Sequence, residues 1–383
     1  MKQIYFDNGS TSFPKAPGLG EAMGKHIDYN GYNISRGGYS KAYSLEGEII
    51  EAREAVCRLF HCDDVKKVIF TPGATIGLNM VLKGLLKRGD HVITTSMEHN
   101  AVVRPLAQLE AKGVLWSRAQ CDEKGRLDPQ EIRKLIRPET KLVLAIHGSN
   151  VCGTLIPIEE IGRICRENRI FFCVDASQTA GSAVIDMQKC NADALIFPGH
   201  KALLGPQGIG GMILSRTMAE TMEPLFSGGT GSASHREEMP ELLPDKFQPG
   251  TLNIPGIIGL KHALAYIEKE GLVSMMEKKK RITDAFLEEV GNMKGVRLIG
   301  LPAGDDRCSV VSLDFVDQDN AEVAFRLENE FGIMTRCGLH CAPHAHKTLG
   351  TFPQGTVRFS FGCFNTITEI RFAAGALNRI LCG

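Results

Sequence analysis

The sequence predicts an α/β protein with a large domain built on a mostly parallel sheet and a smaller α+β domain at the C-terminus. Between residues 65 and 214, apolar strand-like runs alternate with segments whose apolar residues recur at helical spacing, which is typical of a parallel sheet wrapped by helices. From about residue 255 the pattern changes to two long helices followed by a mixed series of strands and helices. A chain of 383 residues, 43% of them hydrophobic, is long enough to bury two such cores. The predicted parts are an N-terminal arm that packs with the small domain (1–15), the large domain (16–254) and the small domain (255–383).

The elements follow from local signals taken in chain order. Residues 4–14 are expected to form an extended arm that turns at Asn8-Gly9-Ser10-Thr11. Ser44 is expected to cap a helix, and Asp128-Pro129-Gln130-Glu131 is a capping-box start with proline in the first helical position. The strands are predicted at Val65–Phe70, His91–Thr95, Lys141–Ile146, Ile170–Asp175, Ala192–Phe197 and Ile209–Leu214, and further helices at Thr75–Leu86, His99–Ala111, Ile158–Glu167, 255–290 and 366–381.

Composition argues against several classes of function. Lys+Arg and Asp+Glu are both 44, so nothing favours binding to nucleic acid or to an anionic membrane surface. No stretch reaches the roughly 20 apolar residues of a membrane span, and the N-terminus has no signal-peptide core. Twelve cysteines in a chain of this length do not indicate a disulfide scaffold, and several lie in apolar runs. A reducing, cytoplasmic location is therefore expected.

Two predicted strands end in side chains of complementary charge. Asp175 closes one apolar run, and His200-Lys201 follows the next, within a Gly/Pro-rich turn. A His-Lys pair alone is more often a solvated turn. The carboxyl ends of parallel strands, however, lie at one edge of a sheet, where ligands bind. A lysine that holds an aldehyde covalently and a carboxylate that keeps a pyridine nitrogen protonated are the groups that pyridoxal 5'-phosphate (PLP) requires.

The segments Val174–Gln178 and Phe197–Lys201 resemble the class V aminotransferase-fold enzymes of the cysteine desulfurase and selenocysteine lyase group. The resemblance extends from about residue 5 to residue 381. It implies a PLP-dependent transferase of fold type I, with a seven-stranded, mostly parallel sheet in the large domain. It also implies a homodimer with shared active sites.

The same resemblance implies roles for residues in the loops that follow the strands. His99 would stack on the pyridine ring and assist proton transfer, and Asn150 would lie against the ring oxygen and the substrate. Gln178 would hydrogen-bond the phenolic oxygen, and Lys201 would hold the cofactor above Asp175.

The phosphate is expected at a helix N-terminus, where backbone N–H groups favour an anion. The resemblance assigns it to Ala74 and Thr75, to His200, and to Thr251 from the neighbouring subunit. Pro198 stands where the family often has Ser or Thr, so phosphate affinity is expected to be lower unless another group substitutes.

A second reactive segment, 335–346, contains Arg336, Gly338, His340, Cys341 and Ala342 in one pattern. It resembles the segment around the persulfide-forming cysteine of cysteine desulfurases. Cys341 would be the nucleophile, its thiolate favoured by Arg336 and His340, which would also contribute to substrate binding.

Two other residues belong with this segment. Arg358 would bind the substrate carboxylate, for which a planar guanidinium is suited. Cys337 is additional, and its role as a resolving thiol, a metal ligand or a bystander stays open. The short interval between Cys341 and Arg358 argues for the subgroup with a compact cysteine loop, in which sulfur release commonly depends on an acceptor protein.

We therefore expect a PLP-dependent cysteine desulfurase that converts L-cysteine to L-alanine and leaves the sulfur on Cys341 as a persulfide. A selenocysteine lyase acting on L-selenocysteine is the nearest alternative. A class V aminotransferase or epimerase that does not use Cys341 is another. Outside enzymology, a sulfur or zinc carrier would use the cluster of Cys337, His340, Cys341 and His344, since thiolate and imidazole are zinc ligands. No metal is expected in the favoured hypothesis.

Overall fold

Strands and helices alternate through the large domain, as the sequence pattern predicts. The computed structural model describes residues 3–34 and 38–382. Its strands are β1 Ile4–Tyr5, β2 Val68–Thr71, β3 His91–Thr95, β4 Leu115–Ala119, β5 Thr140–Ile146, β6 Phe171–Asp175, β7 Ala194–Pro198, β8 Gly210–Leu214, β9 Val296–Ile299, β10 Val310–Phe315, β11 Ile333–Met334, β12 Arg336–Gly338 and β13 Thr356–Ser360. Its helices are α1 Leu19–Tyr29, α2 Ser40–Phe60, α3 Ala74–Leu85, α4 Asn100–Glu110, α5 Pro129–Lys134, α6 Ile158–Glu167, α7 Arg216–Thr221, α8 Ile254–Glu270, α9 Leu272–Val290, α10 Asn320–Phe331, α11 Pro343–Thr348 and α12 Ile367–Cys382.

The large domain contains a seven-stranded sheet in the order β2-β8-β7-β6-β5-β3-β4. All neighbouring pairs are parallel except those of β8, which is antiparallel to both β2 and β7. Separate apolar cores cover the two faces of the sheet. Strands β5, β6 and β7 are consequently buried almost throughout. The predicted mostly parallel seven-stranded sheet is confirmed, and the carboxyl ends of β5, β6 and β7 lie along one edge.

Three local predictions differ from the structure. The helix expected to start at Ser44 begins at Ser40 after the extended residue Tyr39, so Ser44 lies inside α2 and does not cap it. Residues Val65–Lys67 form a 3-10 turn because the Asp64 carboxylate accepts a hydrogen bond from the N–H of Lys66. Strand β4 was not predicted. It is the half-exposed edge of the sheet, and its apolar pattern is correspondingly weak.

The small domain is a four-stranded antiparallel sheet, β12-β13-β10-β9, whose core includes residues of α9, α10 and α12. The N-terminal arm lies on this domain. Strand β1 pairs with β11, and the N–H of Ser360 donates to the carbonyl of Phe6 over 2.7 Å. Helix α8 packs on α1 and α2 and contributes to a large-domain core, although the predicted boundary at residue 255 assigns it to the small domain.

None of the helices within the described ranges is long and apolar enough to cross a membrane. All twelve cysteines are free thiols, in line with the absence of a disulfide scaffold expected from the sequence.

Candidate active site

A cavity of about 260 Å³ opens at the carboxyl edge of the large-domain sheet. Eight of the nine residues predicted to bind the cofactor line it: Ala74, Thr75, His99, Asn150, Asp175, Gln178, His200 and Lys201. Thr251, the ninth, lies instead in an adjacent cleft that shares Pro72 and Ile76 with the cavity. The topology explains the gathering, because each of the eight follows a strand or begins a helix at the same edge.

One end of the cavity is the N-terminus of α3. Gly73 precedes the helix with φ 155°, a conformation that favours glycine. The N–H groups of Ala74 and Thr75 are among the first of the helix, which have no partner within it. They lie with His200 around the cavity, and Nδ1 of the His200 ring has no hydrogen-bond partner among the described residues. This end of the cavity is therefore suited to an anion.

Pro198 lines the same cavity as the last residue of β7. It has neither a hydroxyl nor an N–H to offer to a phosphate. The available donors nearby are the N–H groups at the α3 N-terminus and the hydroxyl of Thr75. The anion site therefore keeps its backbone donors although residue 198 is proline instead of Ser or Thr.

Asp175 is buried beside this cavity, and Lys201, which lines it, is partly exposed. Burial raises the pKa of Asp175, while hydrogen bonds from Ser177 and the charge of Lys201 act in the opposite direction. Burial lowers the pKa of Lys201 to about 8; Asp175 raises it, and Arg358 and Arg336 lower it. A cation placed against Asp175 would therefore stabilise its ionised carboxylate. The Lys201 amine has an accessible neutral form near neutral pH.

His99 is the N-cap of α4, and its Nδ1 accepts a hydrogen bond from the N–H of Ala101 over 3.0 Å. Burial, followed by the charges of Lys201, Arg336, Arg358 and Arg104, lowers the pKa of His99 to about 4. The ring is therefore neutral, with its proton on Nε2. A neutral ring in the cavity wall can stack on an aromatic ligand, and its Nε2–H remains a donor.

Gln178 and Asn150 each use part of their amide within the protein. Nε2 of Gln178 donates to the carbonyl of Gly9 over 3.0 Å. Nδ2 of Asn150 donates to the carbonyl of His340 over 2.8 Å, whereas its Oδ1 is buried without a partner in the described ranges. Both side chains are held in place and still present polar atoms to the cavity.

Cys341 lies at the tip of a tight turn beside the cavity. His340 and Cys341 have φ 47° and 57°, and the N–H of Ala342 donates to the carbonyl of Leu339 over 2.8 Å. Two consecutive left-handed residues that are not glycine cost free energy and mark a functional segment. The turn exposes the Cys341 thiol, and Nη2 of Arg336 lies 3.9 Å from its Sγ.

Several contacts fix this turn against the large domain. The carbonyl of Cys341 accepts from the N–H of Asn100 over 2.7 Å, and the carbonyl of His340 accepts from Asn150. After the turn, α11 packs on an apolar cluster that includes Met97 and Ile146. The loop is thus compact, as the short interval between Cys341 and Arg358 predicts.

Arg358 is buried on β13, directly opposite Arg336 of β12. Its Nη2 contacts Asp7 over 2.7 Å and its Nη1 donates to the carbonyl of Asn150 over 3.0 Å. Its Nε has no partner in the described part of the chain. Three hydrogen bonds, to Asp7, Ser10 and the carbonyl of Asn150, orient the guanidinium and leave the N–H of Nε and one N–H of Nη1 for a ligand.

Two other residues of this segment, His340 and Cys337, make contacts away from the Cys341 thiol. Burial lowers the pKa of His340 to about 2, and its Nε2 pairs with the Thr356 hydroxyl at 3.0 Å. His340 is therefore neutral and adds no positive charge beside Cys341, and its expected part in favouring the thiolate stays a prediction. Cys337 packs against the small-domain core, and burial raises its pKa, which favours the bystander role.

The described residues include no group of three or more His, Cys, Asp or Glu side chains placed to hold a metal ion. The zinc-carrier alternative, which needs Cys337, His340, Cys341 and His344 as ligands, therefore has no assembled ligand set in the described ranges.

Sequence reasoning missed three residues that the fold brings to the site. Asp7 and Ser10 reach Arg358 from the N-terminal arm, and no local pattern indicates a contact between residues so far apart in the chain. Glu98 is buried under the site, where its Oε1 accepts from the Thr95 hydroxyl and from the N–H of Ile146. An acidic residue directly after an apolar strand was the available signal for Glu98.

Comparison with known proteins agrees with this geometry. Residues 4–372 match the family described as Aminotransferase class-V. A probable cysteine desulfurase of Methanothermobacter thermautotrophicus is 32% identical over 381 residues, covering 98% of this chain and 94% of that protein.

Solved structures with the same fold include a cysteine desulfurase from Thermococcus onnurineus, with a TM-score of 0.93 and 31% identity, covering 100% of this chain and 95% of that one. A cysteine desulfurase from Escherichia coli gives a TM-score of 0.88 at 25% identity, covering 99% and 94%.

Proposed function

The chain belongs to the class V aminotransferase family, and from that premise we propose that it is a PLP-dependent cysteine desulfurase. Its substrate is L-cysteine, its product is L-alanine, and Cys341 receives the sulfur. One observation carries the proposal: the groups that would hold the cofactor and the group that would take the sulfur share one site. Asn150, in the wall of the Lys201 cavity, holds the carbonyl of His340, and the N–H of Asn100 holds that of Cys341.

The residues around the cavity fit PLP. The α3 N-terminus and Nδ1 of His200 suit its phosphate, and Asn150 lines the same cavity; neither this Nδ1 nor Oδ1 of Asn150 has a partner among the described residues. Asp175 would hold the pyridine nitrogen, and Lys201 would hold the aldehyde carbon covalently. When bound, PLP supplies an electron sink for bond cleavage next to the substrate's α-carbon.

The protein groups orient the substrate and move its protons. Arg358 would bind the substrate carboxylate through the N–H of Nε and the second N–H of Nη1. Nζ of Lys201, neutral in part because burial lowers its pKa to about 8, takes the proton from the α-carbon. His99, which is neutral, cannot add positive charge beside that amine.

Cys341 then acts as the nucleophile toward the substrate's sulfur. Its Sγ forms a sulfur–sulfur bond while the carbon–sulfur bond of the substrate breaks, and the carbon receives a proton. L-cysteine and the thiol thus give L-alanine and a Cys341 persulfide, with no external oxidant or reductant. Nη2 of Arg336 lies 3.9 Å from this sulfur and can hold it in position for the attack.

The test compares wild type with Cys341→Ala, both loaded with PLP and supplied with L-cysteine and a thiol reductant. We expect the variant to lose sulfide and alanine formation by at least about a hundredfold, because it lacks the nucleophile, while its cofactor absorption band is unchanged. Cys337→Ala is the matched control, since this neighbouring thiol packs toward the small-domain core, and it should retain turnover. Sulfide release by Cys341→Ala at the wild-type rate would disprove the persulfide role.

The oligomeric state is the second part of the proposal. Thr251 lies outside the cavity of its own chain, as expected for a residue that completes the site of a partner subunit. Tyr29, Tyr32 and Tyr43 are exposed, and exposed aromatic side chains are enriched at interfaces between subunits. We infer a homodimer with shared active sites, which sedimentation would detect.

The exposed Cys341 suits transfer of sulfur to an acceptor protein. A cytoplasmic location stays a prediction from the cysteine content. Comparing turnover of L-cysteine with that of L-selenocysteine would distinguish a desulfurase from a selenocysteine lyase.

A further inference from the structure

Two arginines of the site lie directly opposite each other on neighbouring strands. Arg336 of β12 and Arg358 of β13 are register partners in the antiparallel ladder. Like charges in such positions destabilise a sheet. Arg336 accordingly adds to the lowering of the pKa of Arg358, which burial causes first and Asp7 opposes. The two guanidinium groups therefore need a shared hydrogen-bond acceptor to offset their repulsion.

The hydroxyl of Ser10 lies between them. Nη1 of Arg336 donates to Oγ of Ser10 over 2.7 Å, and Nη2 of Arg358 donates to the same oxygen over 2.8 Å. The hydroxyl in turn donates to Oδ1 of Asp7 over 2.7 Å. It therefore accepts two hydrogen bonds and donates one, which uses its full capacity. Asp7 adds the negative charge, because the same Oδ1 contacts Nη2 of Arg358.

The backbone that carries Ser10 is itself fixed to the strand of Arg358. The N–H of Asn8 donates to the carbonyl of Ser360 over 3.2 Å, and the N–H of Gly9 donates to the Ser360 hydroxyl over 2.7 Å. A Cβ atom at Gly9 would lie only 3.3 Å from Cζ of Arg358, so the arm packs closely against the guanidinium. Ser10 thus directly follows a segment that two hydrogen bonds anchor to β13.

We propose that Ser10 is a positioning residue that couples the substrate-carboxylate arginine to the arginine beside Cys341. With Asp7 it occupies Nη2 of Arg358, and the carbonyl of Asn150 takes Nη1. The N–H of Nε and one N–H of Nη1 are then left for the substrate. Through Arg336, the same hydroxyl determines how the guanidinium lies against Sγ of Cys341. The assignment of Arg358 to the substrate carboxylate rests on the proposed function.

The test uses Ser10→Ala, which removes the bridge, and Ser10→Thr, which keeps a hydroxyl. In the PLP-loaded enzyme we expect Ser10→Ala to raise KM for L-cysteine about tenfold, the size of one lost hydrogen bond to a charged group, with much less effect on kcat. Ser10→Thr should restore KM. A role limited to stability would lower the melting temperature without this division between KM and kcat.

Two further readouts do not depend on desulfurase activity. The affinity for L-alanine, followed by the absorption of the bound cofactor, should fall in Ser10→Ala by a similar factor. Alkylation of Cys341 by iodoacetamide in the cofactor-free protein, followed by peptide mass, should become slower because Arg336 is no longer held beside Sγ. Ser12→Ala removes a neighbouring hydroxyl that donates to the carbonyl of His200 over 3.2 Å, and it should leave this alkylation rate unchanged.

The outcomes separate the two hypotheses. Wild-type values of KM, L-alanine affinity and alkylation rate in Ser10→Ala would overturn the role of Ser10, as would a Ser10→Thr variant that behaves like Ser10→Ala. An enzyme that releases no sulfide from L-cysteine, yet loses L-alanine affinity and Cys341 reactivity in Ser10→Ala, would contradict the proposed function and support the positioning role.

Discussion

Lys201 and Lys279 differ in the surroundings of their amines: Lys279 is buried, whereas Lys201 is partly exposed where it lines the cavity. Burial lowers the pKa of both Lys201 and Lys279 to about 8. Nζ of Lys279, on α9, donates to the carbonyl of Gly181 over 2.8 Å and to the hydroxyl of Ser182 over 2.6 Å. Lys201 instead faces a cavity of about 260 Å³ that it shares with Asp175.

The difference shows that a lowered pKa does not by itself identify a reactive amine. Lys279 uses its hydrogens to join α9 to a loop of the large domain. Lys201 has open space beside it, a carboxylate that any cationic ligand would neutralise, and two arginines that disfavour its own charge. The first arrangement is structural, whereas the second suits covalent chemistry with an aldehyde.

The largest effect expected from this comparison is on turnover. Lys201→Ala should lower alanine formation from L-cysteine by at least about a thousandfold, because it removes both the covalent attachment and the base. Lys279→Ala, a matched change at a lysine whose pKa is lowered to the same extent, should retain the absorption band of the attached cofactor and most of the turnover per folded molecule. Alanine analysis and absorption spectra of both variants test this. Loss of the band in both would remove the distinction between the two lysines.

The second effect concerns the pH dependence of cofactor attachment. Only the neutral amine attacks an aldehyde. Because the pKa of Lys201 is lowered to about 8, the neutral form is the major one above that pH. The rate of PLP attachment to the cofactor-free protein should therefore rise about tenfold between about pH 7 and about pH 9 and then level off.

Stopped-flow absorption would measure this rate. The free amine of Nα-acetyl-lysine is the control, and its rate should keep rising toward an ordinary lysine pKa of about 10.4. A protein rate that follows the control would show that Lys201 is not perturbed.

The smallest effect is on stability. Because the pKa of Lys279 is lowered in the folded protein, the unfolded chain binds more protons above about pH 8, and stability gains from rising pH. Lys279→Met abolishes this contribution, so the gain in free energy of unfolding between about pH 8 and about pH 9 should be about 1 kcal/mol smaller than in wild type. Urea titrations of the two PLP-loaded proteins at both pH values would measure it. Equal gains would indicate that Lys279 titrates normally when folded.

Much of the cavity could be predicted because its residues come from local patterns. Apolar runs that end in Asp175 or shortly before Lys201 locate the strands, and parallel strands place their carboxyl ends together. The surroundings of Thr251 and His340 do not follow from local patterns. Thr251 belongs to a loop whose position depends on chain packing, and the charge of His340 depends on burial, which local sequence does not specify.

The sequence by itself determined the alternation of strands and helices, the order of the reactive residues and the family resemblance, because these depend on spacing along the chain. The tertiary structure alone decided which groups meet across long separations. Asp7 and Ser10 contact Arg358 only because β13 pairs with β10 and β12 and the arm docks beside it. Burial, which shifts the pKa of Lys201 and neutralises His340, likewise exists only once the chain has folded around them, since desolvation is a property of the surrounding volume.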